Sequence, residues 1–113
     1  MTAPRLAAVA VLLLAAPANA APDLSGGTYL CDRGVTLPAS YINTGGGSVA
    51  VLYVEGRLVT LPIGMSASGA RYVWPSDGSG YVWWTKGDTA TLYWRDGESG
   101  TEQPLYAECR LQG

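Results

Sequence analysis

The feature that most constrains this chain is its punctuation. Short runs of β-branched and aromatic residues recur between glycine-rich turns, and no stretch beyond residue 20 carries a helical period. The runs are 27–32, 35–42, 48–55, 57–63, 70–74, 80–85, 90–95 and 104–111. Between them stand Asn43-Thr44-Gly45-Gly46-Gly47, Glu55-Gly56, Ser76-Asp77-Gly78-Ser79-Gly80, Lys86-Gly87-Asp88 and Asp96-Gly97-Glu98-Ser99-Gly100, where glycine permits positive φ. Period-2 alternation puts Val49, Val51 and Tyr53 on one face of a strand and Ala50, Leu52 and Val54 on the other. Tyr93 and Trp94 fall on opposite faces in the same way. Pro38 interrupts the second run and calls for a bulge or a sheet edge there. The pattern predicts an all-β domain of about eight antiparallel strands. A small barrel would remove the exposed edges, but the pattern alone does not separate a barrel from a sandwich.

Residues 1–20 read as a secretory signal. Arg5 supplies the positive end, residues 6–16 are apolar, and Ala18-Asn19-Ala20 fits the small-x-small cleavage rule. The apolar run is shorter than the roughly 20 residues that span a membrane. The mature domain is therefore expected to be 21–113, exported to the periplasm or secreted. With no cysteine at the cleavage site, no lipid anchor is expected. Without Arg5, six basic side chains face nine acidic ones, a net charge of −3. That balance argues against nucleic acid or an anionic membrane as partner and suits a cationic one. In an exported chain the two cysteines, Cys31 and Cys109, most simply form one disulfide, which would tie the first strand to the last. Two cysteines and no histidine make a zinc site unfavourable. No cofactor motif is present.

Catalysis is poorly served. Histidine, the commonest general base, is absent. Ser68 and Lys86 could be imagined as a dyad, but they lie outside any Ser-x-x-Lys pattern or nucleophile elbow. Acidic pairs such as Asp96 and Glu98 fall in turns. The chain is therefore read as a non-enzyme. Two segments stand out instead: Ser66-Ala67-Ser68-Gly69-Ala70-Arg71-Tyr72, and Thr85-Lys86-Gly87 preceded by Tyr81-Val82-Trp83-Trp84. Taken by itself, each is an ordinary turn signal.

Together, with the export signal and the framing cysteines, they resemble the MliC/PliC family of C-type lysozyme inhibitors of the Gram-negative periplasm. The Ser-Gly-x-x-Tyr core of that family's first motif is matched by Ser68, Gly69 and Tyr72. The Ser/Thr-Lys-Gly step of its second is matched by Thr85, Lys86 and Gly87. The resemblance implies a small antiparallel β-barrel, a basic C-type lysozyme as partner, and protection of peptidoglycan from host or competitor muramidase. It implies that Ser68 inserts its hydroxyl among the catalytic carboxyls and that Lys86 adds an ammonium beside them. Gly69 would allow close backbone approach, and Tyr72 would brace the loop from below. Ser66, Arg71, Thr85 and Gly87 complete the expected lysozyme-binding set, with the Arg71 charge expected to be solvated at the strand end. The stretch 73–80 is longer than is usual between the two family motifs, and could displace Lys86 relative to Ser68 or add a contact through Trp74. The rival reading is a glycan- or protein-binding module that uses the four tryptophans and seven tyrosines.

Overall fold

The computed structural model describes residues 21–113; the expected signal peptide lies outside the described residues. Eight strands follow one another: β1 (Asp23–Leu30), β2 (Thr36–Thr44), β3 (Gly47–Val54), β4 (Arg57–Pro62), β5 (Ala70–Val73), β6 (Gly80–Lys86), β7 (Thr89–Arg95) and β8 (Glu102–Leu111). They form one antiparallel sheet in the order β4-β3-β2-β1-β8-β7-β6-β5. Each strand thus pairs with its chain neighbour, and β1 pairs with β8, so the meander curls round on itself. One junction, β4 to β5, has no ladder. The two strands meet through a single bridge, Ile63 to Tyr72, beside which the Gly64 N–H donates to the Arg71 carbonyl (2.7 Å).

The physical reason for that gap is local. β5 ends at Val73, where Trp74-Pro75 turns the chain away and proline lacks the N–H that a continued ladder would need. Most of β4, from Arg57 to Leu61, is left without a partner on that side.

The β1–β8 junction is also short, holding only Tyr29 to Leu111 and Leu30 to Arg110. The Cys31–Cys109 disulfide spans this same junction across 78 residues of chain, and both of its cysteines are buried. It therefore reinforces the shortest of the ladders between paired strands. Pro38 sits at an edge position, as expected: it pairs with Thr28 of β1, while the β3 ladder begins only at Ala39.

Two strands begin two or more residues before the sequence predicts. β1 begins at Asp23, four residues early, because Gly26 lies flush against β2; an added Cβ there would stand 2.3 Å from the Ala39 carbonyl oxygen. β8 begins at Glu102 and carries Pro104 through a register shift opposite Leu92 and Tyr93, so the missing N–H falls at an irregularity. Residues 32–34, expected as the end of a strand and a loop, form a short 3₁₀ turn.

The core is the inner face. Ala50, Leu52 and Val54 are buried there with Leu37, Leu61, Leu92 and Trp83, whereas Val49 and Val51 are half-buried and Tyr53 is exposed on the opposite face. Trp83 packs edge-on to Tyr29 at 5.1 Å. Its indole N–H donates to the Tyr41 hydroxyl (2.8 Å), which shares a hydrogen bond with the Tyr29 hydroxyl (2.7 Å). Burying three aromatics therefore leaves none of these polar atoms unsatisfied, which removes the cost an orphaned donor would carry.

Burial pushes the Tyr29, Tyr41 and Tyr72 hydroxyls above their ordinary value. The Tyr81 hydroxyl is pushed up to about 12, first by burial and then by its hydrogen bond to Glu55. A phenol whose pKa is raised on folding stabilises the fold fully below its unfolded value of about 10, and this contribution disappears as pH climbs through the folded value. The urea midpoint should hold level to about pH 9 and fall progressively above about pH 10. A spectrophotometric titration in which all seven tyrosines ionise together near about pH 10 would contradict this.

Candidate inhibitory loop

The two motifs converge through Gly69. Residues 64–69 leave β4 and return as β5, which pairs with β6 at Ala70 to Thr85 and Arg71 to Trp84. Gly69 has φ +62, a conformation that favours glycine, and packs directly on the second motif. An added Cβ would stand 2.1 Å from the Thr85 carbonyl oxygen and 2.9 Å from Lys86 Cγ. Glycine is thus required twice, for its backbone angle and for the close approach.

Within the loop, Ser66 Oγ donates to the Ser68 carbonyl and accepts from the Ser68 N–H (3.3 Å). Ser68 is exposed, and its own hydroxyl has no hydrogen-bond partner among the described residues. The loop is held by its backbone, which leaves that hydroxyl free to act outward.

Trp84 joins the two motifs, a role the sequence reading did not assign. Its indole N–H donates to the Ser68 carbonyl (2.9 Å), and the Lys86 ammonium stands over its ring, 4.1 Å from the centroid. Period-2 spacing was the available signal, since Trp84 and Lys86 share one face of β6. Contacts of this cation–π kind contribute roughly 0.5–2 kcal/mol. Thr85 Oγ1 lies 3.4 Å from the Ala70 carbonyl. The turn at Gly87 is fixed by Thr89, whose hydroxyl donates to the Lys86 carbonyl (2.9 Å).

Arg71 departs from expectation. Its guanidinium is not a solvated strand-end charge: Nη2 donates to both oxygens of Glu102 (2.9 and 2.8 Å), and the group also stands 5.3 Å from the Trp84 ring centroid. Both side chains of the pair are only 20–25% exposed. The cause is Glu102 on β8, 31 residues distant, which no local pattern links to Arg71. Tyr72 is buried, with its ring 5.6 Å from that of Tyr41, and so supports the loop from within the core.

The stretch 73–80 lies at the other end of the β5–β6 hairpin from Ser68 and Lys86, and the register holds from Ala70–Thr85 to Val73–Val82. Among the described residues no cluster of three or more metal-ligating side chains occurs.

Comparison with known proteins shows the family to which this fold and these motifs belong. The family model described as membrane-bound lysozyme-inhibitor of c-type lysozyme matches residues 29–99, which include both motifs. The membrane-bound lysozyme inhibitor of C-type lysozyme from Cupriavidus necator is 38% identical over 92 residues, covering 80% of this chain and 69% of that protein. Its counterpart from Pseudomonas aeruginosa is 39% identical over 88 residues, covering 75% of this chain and 66% of that one. The chain thus spans about two thirds of the length of these relatives.

Among solved structures, Pseudomonas aeruginosa MliC in complex with hen egg white lysozyme superposes with a TM-score of 0.64 at 31% identity, over 88% of this chain and 92% of that one. PliC-St, the periplasmic lysozyme inhibitor of C-type lysozyme from Salmonella typhimurium, gives 0.65 at 25% identity, over 80% and 100%. With the family model covering more than half the residues, and with relatives and solved folds agreeing, the chain belongs to the MliC family of lysozyme inhibitors, which are binding proteins rather than enzymes.

Proposed function

We propose that this chain inhibits C-type lysozyme by seating its Ser68 loop in the enzyme's cleft, with Lys86 alongside. The observation that carries the reading is the convergence at Gly69 and Trp84. Two segments separated by a whole hairpin present one exposed hydroxyl and one ammonium on a single, internally braced surface.

A C-type lysozyme flanks the scissile bond with two carboxyl groups, one protonated in an apolar pocket and one ionised. The Ser68 hydroxyl can donate to one and accept from the other, and the Lys86 ammonium can pair with carboxylate where water is excluded. Such charge-assisted contacts are roughly twice as strong as neutral ones. The net −3 of residues 21–113 favours encounter with a basic enzyme. The same reading places the chain outside the cytoplasm, released after cleavage at Ala20, as befits an inhibitor that must meet lysozyme at the cell wall.

The test is calorimetric binding to hen egg white lysozyme and to a form whose two catalytic carboxyls are replaced by their amides. Affinity should fall for the amide form by roughly 2–5 kcal/mol. Equal affinity for both forms would show that the loop does not engage the catalytic groups.

Trp84 gives a second test. Trp84→Ala removes the hydrogen bond to the Ser68 carbonyl, about 0.5–1.5 kcal/mol, and the cation–π contact, about 0.5–2 kcal/mol. Inhibition should weaken about 5- to 400-fold, with Trp84→Phe in between because it keeps the ring under Lys86. If Trp84→Ala inhibits as the parent does, the brace is irrelevant to binding.

A further inference from the structure

The open junction between β4 and β5 has a second consequence, at the opposite end of the β5–β6 hairpin from Lys86. Six residues of strand separate Gly80 from Lys86, about 20 Å at the usual rise. There the unpartnered stretch of β4, the 74–79 extension, the start of β6, the end of β7 and Leu105 of β8 line a cleft of about 640 Å³. That volume falls within the roughly 300–1,000 Å³ of small-molecule sites.

Its walls are built rather than incidental. Trp74 lies so close against Gly80 that an added Cβ would stand 2.1 Å from its ring. The tip that carries Trp74 is itself pinned: Ser79 Oγ accepts the Gly97 N–H (2.9 Å), and a Cβ on Gly97 would meet the Gly78 carbonyl carbon at 2.7 Å. Trp94, also in the lining, is 41% exposed and meets Tyr81 edge to face, 5.1 Å between centroids. The Tyr81 hydroxyl donates to Glu55 Oε1 (2.6 Å), which leaves the other carboxylate oxygen available. Glu55 is held at φ +53 in the β3–β4 turn, an uncommon angle for a side chain of this kind. Arg57, two residues on, has no ion-pair partner among the described residues.

The geometry points to a binding site for a neutral oligosaccharide of pyranose rings. Each ring offers an apolar C–H face to an indole and a rim of hydroxyls to hydrogen-bonding groups. The cleft supplies both: its lining includes the indoles of Trp74 and Trp94, the Glu55 carboxylate as acceptor, the Arg57 guanidinium as donor, and Thr60. A fatty acyl chain would leave Glu55 and Arg57 unsatisfied, and an anionic ligand would meet a domain of net charge −3. This site neither uses Ser68 or Lys86 nor depends on lysozyme inhibition.

The test is a titration of the folded protein, with no lysozyme present, against tri-N-acetylchitotriose and cellotriose, following the four indole N–H resonances by NMR. Saturable shifts at Trp74 and Trp94 with either sugar are expected. Trp94→Ala, at a partly exposed position, should weaken binding at least tenfold, and Trp74→Ala should do the same. No shift with either sugar at about 10 mM, shifts confined to Trp84, or binding unaffected by both variants would overturn the assignment.

Discussion

Replacing Lys86 with alanine should weaken inhibition of a C-type lysozyme by about 30-fold to a few thousand-fold, the equivalent of roughly 2–5 kcal/mol for removing one partner of a buried charge pair. The fold should be unaffected. Lys86 is exposed at the end of β6, and its side chain touches the rest of the chain at the Trp84 ring and, through Cγ, beside Gly69. Removing it costs the free protein an exposed cation–π contact, near the low end of the range for such contacts, and a methylene contact at the surface. Lys86→Arg separates charge from shape. It keeps the cation over Trp84 but replaces a compact ammonium with a planar fork, so partial inhibition should survive. The measurement is a titration of lysozyme activity with each variant, alongside its urea midpoint. An unchanged inhibition constant for Lys86→Ala would remove the lysine from the mechanism.

Loss of the disulfide should produce the largest effect on stability. In the chain-entropy model, a cross-link between residues 78 apart contributes about 4–5 kcal/mol, and removing a native bridge from a small secreted domain generally costs about 2–5 kcal/mol. Total stability for a domain of this class is about 5–15 kcal/mol. The Cys31→Ser/Cys109→Ser double variant should therefore lose a large fraction of its stability. The position of the bridge sharpens the expectation. It lies where β1 and β8 share only two residue pairs, so without it this junction should open before the six longer ladders. Hydrogen exchange in the double variant should speed up first at Tyr29, Leu30, Arg110 and Leu111. Uniform acceleration across the sheet would mean that the bridge acts only through the unfolded chain.

Much of this fold was legible because a strand that is half buried writes its orientation into alternate residues. Val49 to Val54 could be assigned to two faces from the sequence, and each glycine-rich turn marked a true chain reversal. The strand ends were less legible where pairing rather than propensity decides them. Asp23 to Gly26 fall outside the predicted run, yet they pair with β2, where Gly26 allows the strands to touch. Glu102 and Gln103 fall between the predicted turn and the predicted strand, yet they pair with Arg95 and Trp94.

The candidate site shows the same division. Ser68, Gly69 and Lys86 stand out in the sequence, but what brings them together does not. Gly69 meets Thr85 and Lys86 only after β5 pairs with β6, and Arg71 acquires Glu102 only after β8 has closed the meander. The open β4–β5 junction was illegible for a related reason. A dipeptide such as Trp74-Pro75 marks a turn, but which partner it deprives depends on the sheet order.

Mixed surface charge gives one further check on the encounter. If the acidic domain is steered toward a basic enzyme, the association rate should fall with added salt while dissociation changes little. Stopped-flow binding in low and physiological salt would read this directly, and an association rate indifferent to salt would show that the net −3 plays no part.

The most direct test of the central claim is a cell-wall lysis assay. The protein from Ala21 onward, with its disulfide formed, is titrated into an animal C-type lysozyme and, separately, a goose-type lysozyme, with Ser68→Ala run beside the parent. Stoichiometric loss of lysis by the C-type enzyme alone, relieved in Ser68→Ala, is the predicted result. Undiminished lysis at large molar excess of the parent, or equal inhibition by Ser68→Ala, would contradict the account.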